Sequence, residues 1–459
     1  MADEEIGPLM RSVDERRGRG RAVREAVPLE SHAELRLDDR PDPIELLVAQ
    51  DATRLPGLVP IRHGRMRVTP FTFYRGAAAI MASDLSRTPT TDLRVQLCGD
   101  AHLSNFGVFK GPDRRLVFDV NDFDETAAGP FEWDLKRLAA SITIAARNNG
   151  LTDKQVRSAT RRAVRGYREL LAETTRSSPL DVHYFRIDIE ALLQEDEQLR
   201  KRSRKAIAKA TRKDSVRALD KLTEVVDGQR RIVTVPPLIV PLERRLPEDH
   251  IAAVEALFDK YRASLPPHRA AVLDRYRLVD VAHKVVGVGS VGTRCLIVLL
   301  QSGEGAPLFL QFKEAVQSVL EPYAGASGYD QAGERVVRGQ RAMQATGDVF
   351  LGFARYQPPD GRTVDFYFRQ LWDGKGSAEV EQMGPKRLKK YAWFCGGALA
   401  LAHARTGDGV AISGYLGDDD SVDDVFAEFA ERYAHLNDAD HAAHEAAIAT
   451  GWVEAAGDP

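Results

Sequence analysis

Carboxylates, amides and an imidazole crowd residues 97–134, at positions where a simple packed core would not place them. Asp100, His102 and Asn105 follow a short apolar run (Leu93, Val95, Leu97), and Leu116, Val117 and Phe118 lead straight into Asp119, Asn121, Asp122 and Asp124. Magnesium takes hard oxygen ligands, usually one or two carboxylates together with substrate phosphates. A carboxylate, an amide five residues on and a second carboxylate beyond a strand would serve it. The two apolar runs, each ending in acids or amides, predict a hairpin that presents these groups to a metal. Asp and Asn are also ordinary turn formers, so a polar loop followed by an acid-capped turn is the plainer alternative.

A second stretch with chemical content is Gly287-Val288-Gly289-Ser290-Val291-Gly292. Two different phosphate sites share this G-x-G-x-x-G spacing. In a dinucleotide fold the loop opens a helix whose N-terminus faces the pyrophosphate. Here Thr-Arg-Cys-Leu-Ile-Val-Leu-Leu follows Gly292, a strand by propensity. Strands on both sides are the kinase arrangement, in which the loop folds over nucleotide phosphates; a flexible hairpin is the bland reading. A kinase cleft then needs a lysine on the third strand, a glutamate on the next helix to orient it, and a strand entering a hinge whose backbone binds adenine. Lys313, Glu334 and residues 366–372, with Gln370 and Leu371 at the hinge, occur in that order.

The elements around these residues follow from periodicity. Residues 44–49, 77–85, 131–147, 153–175, 249–265, 331–346, 386–404 and 418–436 read as helices, and helices continue from 189 into the 220s. Residues 276–312 read as strand–loop–strand–turn–strand, and 363–371 alternates as a half-buried strand. Residues 230–240 read as a strand broken by Pro236-Pro237. Arg75 lies beside Phe71, Phe73 and Tyr74; packing against the rings is its plainer role and a phosphate contact the other. Residues 201–213 carry seven Lys or Arg in thirteen, without interleaved aromatics. That is the pattern of a solvated helix face rather than of a single-strand binder.

Composition bounds the rest. With 459 residues, 43% of them hydrophobic, the chain is long enough for two lobes or domains. A net charge of −3 provides no global basic field, so no nucleic-acid partner is expected. Three scattered cysteines fit a reducing cytosol. No stretch reaches the roughly 18 apolar residues of a membrane span, and the charged first thirty residues lack the apolar core of a signal peptide. A cytoplasmic protein is expected, with residues 1–40 as a flexible arm.

Downstream of the glycine loop the late segment His403-Ala404-Arg405-Thr406-Gly407-Asp408 lacks a kinase's catalytic and metal motifs; residues 99–105 and 122–124 supply them upstream. This half resembles the aminoglycoside and choline phosphotransferases, through a motif of the form H-G-D-x-H-x-x-N, a second acidic motif after a strand, and Trp133-Asp134-Leu135. Cys98 stands where those families have His. The chain from about residue 60 also resembles the bacterial family catalogued as domain of unknown function 2252, through TFYRG, GDAHLSNFG, NDFDE and AHARTGD.

The resemblance implies an α+β, protein-kinase-like two-lobed fold that is circularly permuted, a cut tolerated when termini lie close at the surface. Residues 41–275 would form the helix-rich catalytic lobe, 276–372 the small antiparallel-sheet lobe, and 373–459 helices returning to the large lobe. It implies ATP and Mg²⁺ as cofactors. Asp100 would accept the proton of an attacking hydroxyl, and Asn105 with Asp122 would hold the metal, Asp119 and Asp124 being alternatives or second-metal ligands. Lys313 and the loop of Gly287, Gly289, Ser290 and Gly292 would hold the phosphates, with Glu334 anchoring the lysine. His102 is a base or, more ordinarily, a structural histidine; Asp134 braces the catalytic loop. The expected function is phosphoryl transfer to an unidentified hydroxyl-bearing small molecule or protein. A pseudokinase or regulatory ATP-binding protein, a nucleotidyl transferase on the same fold, and an interaction protein without nucleotide are the alternatives.

Overall fold

Fourteen strands lie among the described residues: β1 (Arg94–Leu97), β2 (Phe106–Lys110), β3 (Leu116–Val120), β4 (Ala127–Pro130), β5 (Ile187–Asp188), β6 (Thr223–Val226), β7 (Gln229–Ile232), β8 (Ile239–Pro241), β9 (Tyr276–Lys284), β10 (Cys295–Ser302), β11 (Pro307–Ala315), β12 (Gly352–Tyr356), β13 (Val364–Gln370) and β14 (Gly376–Ser377). The structure is a computed structural model, and it describes residues 8–191, 215–241, 249–357, 362–371 and 376–457. The basic run 201–213 and Trp372 at the expected hinge lie outside them. The architecture is mixed α+β, with helices predominating and every strand pairing antiparallel.

The largest sheet has the order β12-β13-β11-β10-β9-β8. Its register sets Lys313 of β11 opposite Cys295 of β10 on one side and Tyr367 of β13 on the other. Alternation along β10 sends Ile297 and Leu299 into one apolar cluster with Ala218 and Leu222, and Val298 and Leu300 into another with Leu257, Tyr261 and Phe312. Both faces are therefore covered by helix. On the second face Tyr261 stacks on Phe368 at 4.0 Å between ring centroids and donates to Phe350 O at 2.7 Å. The Ser215–Leu222, Asp249–Ala263 and Pro267–Leu273 helices, which the sequence alone groups with residues 41–275, pack on this sheet. Their apolar residues complete its two faces, which the strands alone would leave in water.

The other body is built on the Phe131–Asn148, Asp153–Thr174, Pro385–Thr406 and Ser421–Ala449 helices. The second and third cross so closely that a Cβ on Gly396 would lie 1.9 Å from Ala163 O, and one on Gly166 2.4 Å from Trp393 O. Only glycine permits this approach. Here the two apolar runs do not form one hairpin. β1 pairs with β4, whereas β3 pairs with β2 and β5 in a separate four-stranded sheet. The spacer between the runs contains β2, so β3 finds a nearer partner than β1.

Residues 8–40 are not a loose arm. The Val13–Ala26 helix starts at a Ser12–Glu15 capping box and lies on the Gly409–Leu416 helix, where a Cβ on Gly20 would come within 2.0 Å of Ala411 O. Arg16 Nε donates to Asp408 Oδ1 at 2.9 Å. Arg40 bridges two buried carboxylates, Asp84 at 2.7 Å and Asp440 at 2.6 Å. The segment docks through glycine contact and ion pairs, which a low hydrophobicity does not reveal. No helix among the described residues is long and apolar enough to cross a membrane.

Candidate functional site

Asp134, in the first turn of the Phe131–Asn148 helix, fixes the loop after β1. Its two oxygens accept from Cys98 N at 2.7 Å and Gly99 N at 3.0 Å. His403 Nε2 lies 3.3 Å from the same carboxylate and Tyr167 OH is 2.8 Å from His403 Nδ1, so the brace continues into two further helices. Gly99 turns at φ 85°, and a Cβ there would strike Glu125 O at 2.1 Å. Cys98 is buried, and burial beside Asp134 pushes its thiol well up.

The loop then presents Asp100. Buried Arg137 donates to Asp100 Oδ1 from Nε at 2.9 Å, with Nη2 2.8 Å away, while its guanidinium stacks 3.8 Å over the Tyr74 ring. Burial raises the Asp100 pKa and Arg137 opposes the rise. His102 Nε2 is 3.7 Å from Asp100, and its Nδ1 accepts from Ser104 N at 3.2 Å, which leaves the ring proton on Nε2. Burial, Arg75 and Arg137 hold His102 well below the usual imidazole range, so it is neutral and caps the Leu103–Asn105 turn. Asn105 Nδ2 donates to Asp100 O at 2.8 Å, and Asn121 N to Asn105 O at 2.8 Å, tying the two polar turns together.

The second turn, after β3, faces the large sheet. Lys313 Nζ pairs with Asp124 Oδ2 and lies 3.7 Å from Asp122 Oδ1. Tyr367 OH donates to Asp124 Oδ1 at 2.7 Å, and Ser290 Oγ is 3.4 Å from Asp124 Oδ2. Arg369 Nη1 donates to Asn121 O at 3.3 Å. Burial works to raise Asp124, but Lys313 and Tyr367 outweigh it and hold the carboxyl below its ordinary range. Asp122 is raised instead, by burial and then by Asp124. Burial would lower Lys313, yet Asp122 and Asp124 drive it upward, so it carries its charge. Asp122 Oδ1 is buried and accepts no hydrogen bond among the described residues.

The glycine loop joins β9 to β10 over this cluster. Gly287 and Gly292 take φ of 69° and 94°, which side-chain-bearing residues resist. The loop leans on a segment that the sequence did not connect to it. Leu55 N donates to Gly292 O at 2.8 Å, Arg54 Nη1 to Val291 O at 2.5 Å and Arg65 Nη1 to Gly287 O at 2.6 Å. Gly289 approaches the Arg75 carbonyl, 3.2 Å from an added Cβ.

Several expected roles are not kept. Glu334 does not reach Lys313; it pairs with Arg338 at 3.2 Å, one helical turn along. The residue that points into the cleft from the Ala332–Met343 helix is Arg335, which donates to Thr126 O at 2.5 Å, Asp124 O at 2.7 Å and Val316 O at 2.9 Å. The amides of Gln370 and Leu371 are occupied: Leu371 N donates to Phe309 O at 2.9 Å as β13 runs on beside β11, and Gln370 N donates to the Asp348 carboxylate at 2.5 Å. They are not free to bind adenine. Arg75 makes no ring contact among the described residues; the cation over the neighbouring Tyr74 ring is Arg137.

Asp119 belongs to β3 and accepts from its own neighbour Val120 N at 2.8 Å, with Arg405 rather than Lys313 as its charged partner. Among the described residues no group of three or more His, Cys, Asp and Glu side chains forms a metal cluster. Burial pushes the Asp119 carboxyl up to about 6. It therefore binds its proton more tightly folded than unfolded, and stability falls as pH rises from about 4 through about 6. Asp119→Asn, which retains an oxygen for Val120 N, is expected to be more stable than the parent at pH 8 by up to about 3 kcal/mol. It should show no such advantage at pH 4. Superimposable denaturant curves at pH 8 would contradict this account.

Fold and site together define a mixed α+β protein with a buried acid–base cluster between a six-stranded antiparallel sheet and a helix-rich body. The chain belongs to the bacterial family described as an uncharacterized protein conserved in bacteria (DUF2252), whose model matches residues 54–447. No curated protein and no solved structure matches it.

Proposed function

We propose that the protein is an ATP- and Mg²⁺-dependent phosphotransferase with a circularly permuted kinase-like fold, acting on a hydroxyl-bearing acceptor. The observation that carries this reading is Lys313, on the third strand of a glycine-loop meander, paired with Asp124, 189 residues earlier in the chain, and 3.7 Å from Asp122. Two features of topology support it. In the sheet, the third strand is followed by a helix and then by β12 and β13, with β13 inserted next to β11. In the other body, the Pro385–Thr406 helix ends against β1, where Gln96 N donates to Thr406 Oγ1 at 3.2 Å. On the permuted reading this helix corresponds to the one that precedes the catalytic loop in an unpermuted kinase, and the chain is cut between the two.

The residues divide the task of phosphoryl transfer, which is chiefly positioning and charge neutralisation. Asp100, held by Arg137 and by the backbone brace of Asp134, takes the proton of the acceptor hydroxyl. Asp122 and Asn105 suit a hard cation. Asp122 has a buried oxygen without a donor, and Asn105 uses its NH₂ on Asp100 O, leaving its own oxygen. Magnesium there would neutralise phosphate charge. Lys313 holds phosphate oxygens, and Ser290 with the loop amides closes over them.

Calorimetric titration of the full chain with ATP tests this. Binding with a Kd on the order of 10–100 μM is expected with Mg²⁺ and much weaker binding in EDTA. No heat of binding under either condition would overturn the proposal.

A further inference from the structure

The Pro70–Gly76 helix brings one more cation to the Asp100 side of the cleft. A Thr69–Thr72 capping box opens this helix, and Phe71, Phe73 and Tyr74 are buried beneath it. Arg62, fully buried, donates to Gly76 O at 3.1 Å and holds the far end. Arg75 is thereby fixed in place, with 22% of its side chain exposed. Its guanidinium nonetheless makes no hydrogen bond among the described residues. Glu381 is the nearest carboxylate at 3.9 Å, beyond hydrogen-bond reach, and is itself half exposed. The buried Nε donates to no atom of the described residues.

The charged groups acting on Arg75 are Glu381, Asp100 and Arg65. Arg137, which holds Asp100, also donates from Nη2 to Tyr74 O at 2.8 Å, so Arg75 follows directly on the residue tied to the base's own partner. It is not required to neutralise Asp100, because Arg137 already contacts Asp100 Oδ1 through Nε and Nη2. A largely buried guanidinium without hydrogen bonds is costly, and a planar anion meets its paired donors.

We infer that Arg75 is the binding residue for an anionic group, carboxylate or phosphate, on the acceptor. This rests on the phosphotransferase reading and narrows it: the acceptor is a hydroxy acid or a phosphorylated alcohol, not a neutral sugar or an amino alcohol. Its anion lies on Arg75 and its hydroxyl meets Asp100.

The test is titration of the full chain, saturated with Mg²⁺ and the non-hydrolysable analogue adenylyl imidodiphosphate, with D-glycerate, glycerol 3-phosphate and inorganic phosphate, and with glycerol as the neutral control. At least one anion should bind where glycerol does not. Arg75→Gln should weaken that binding at least about tenfold, and Arg75→Lys should restore part of it. The inference is overturned if no anion binds more tightly than glycerol, if Arg75→Gln binds the anions like the parent, or if the substitution alters only nucleotide affinity, which would put Arg75 on the nucleotide's phosphates. Should the nucleotide analogue not bind at all, the phosphotransferase reading falls, and the same titrations of the free protein decide the anion site by the same criteria.

Discussion

Asp122→Asn is expected to abolish Mg²⁺-dependent ATP turnover while leaving the protein at least as stable as the parent. The two effects have one cause. Asp122 keeps 30% of its side chain exposed, but it is repelled by Asp124, and its buried Oδ1 accepts no hydrogen bond among the described residues. Such an atom costs about 1–3 kcal/mol, and removing the charge relieves both the repulsion and the desolvation. The parent carries this cost because a bare carboxylate oxygen is what a hard cation requires. Turnover should fall by at least on the order of 10²-fold, as when one preorganised electrostatic contact is removed, while the midpoint of thermal unfolding stays or rises by an amount matching about 1 kcal/mol. ADP release and scanning calorimetry on the same preparation measure the two. Full turnover would remove Asp122 from the metal site; a clear fall in stability would mean that its carboxylate has a structural partner.

What was legible in the sequence was what local pattern determines. β-branched runs and glycines marked β9, β10 and β11, and the lysine at the end of the third strand falls where the register places it, beside the acidic turn. Periodicity likewise placed Asp134 in a first helical turn, where a negative charge is favourable, while its role as a brace came from the resemblance. What failed needed rotation or distant docking. Glu334 and Arg335 are neighbours in sequence but stand about 100° apart around a helix, and only the packing of Gly333 on Phe366 O and Gly339 on Thr126 decides which enters the cleft. The N-terminal segment gave little hydrophobic signal because it docks by arginine–aspartate pairs and close glycine contact. The same limit hid Arg54 and Arg65, whose targets are backbone carbonyls of a loop more than two hundred residues away.

Lys313→Met is expected to destabilise the fold, and adding Asp124→Asn is expected to recover most of the loss. Lys313 is 2% exposed, and its ammonium is the principal cation on Asp124. Removing one partner of a buried pair leaves the other charge uncompensated, at about 3–5 kcal/mol for a fully buried pair. Asp124 keeps 28% of its side chain exposed, so a loss of about 2–3 kcal/mol is the better expectation here. The double variant keeps the Tyr367 hydrogen bond to an amide oxygen and has no orphan charge, so its stability should lie near that of the parent. Neither variant should bind ATP–Mg²⁺ as tightly as the parent, since both lack the phosphate-binding ammonium. Denaturant unfolding and nucleotide titration on the two variants therefore separate the two roles of one side chain. A single variant as stable as the parent would show that the pair adds nothing to folding. A double variant with parental nucleotide affinity would show that Lys313 is a structural counter-ion alone, and the proposed nucleotide site would have to be sought elsewhere in the cleft.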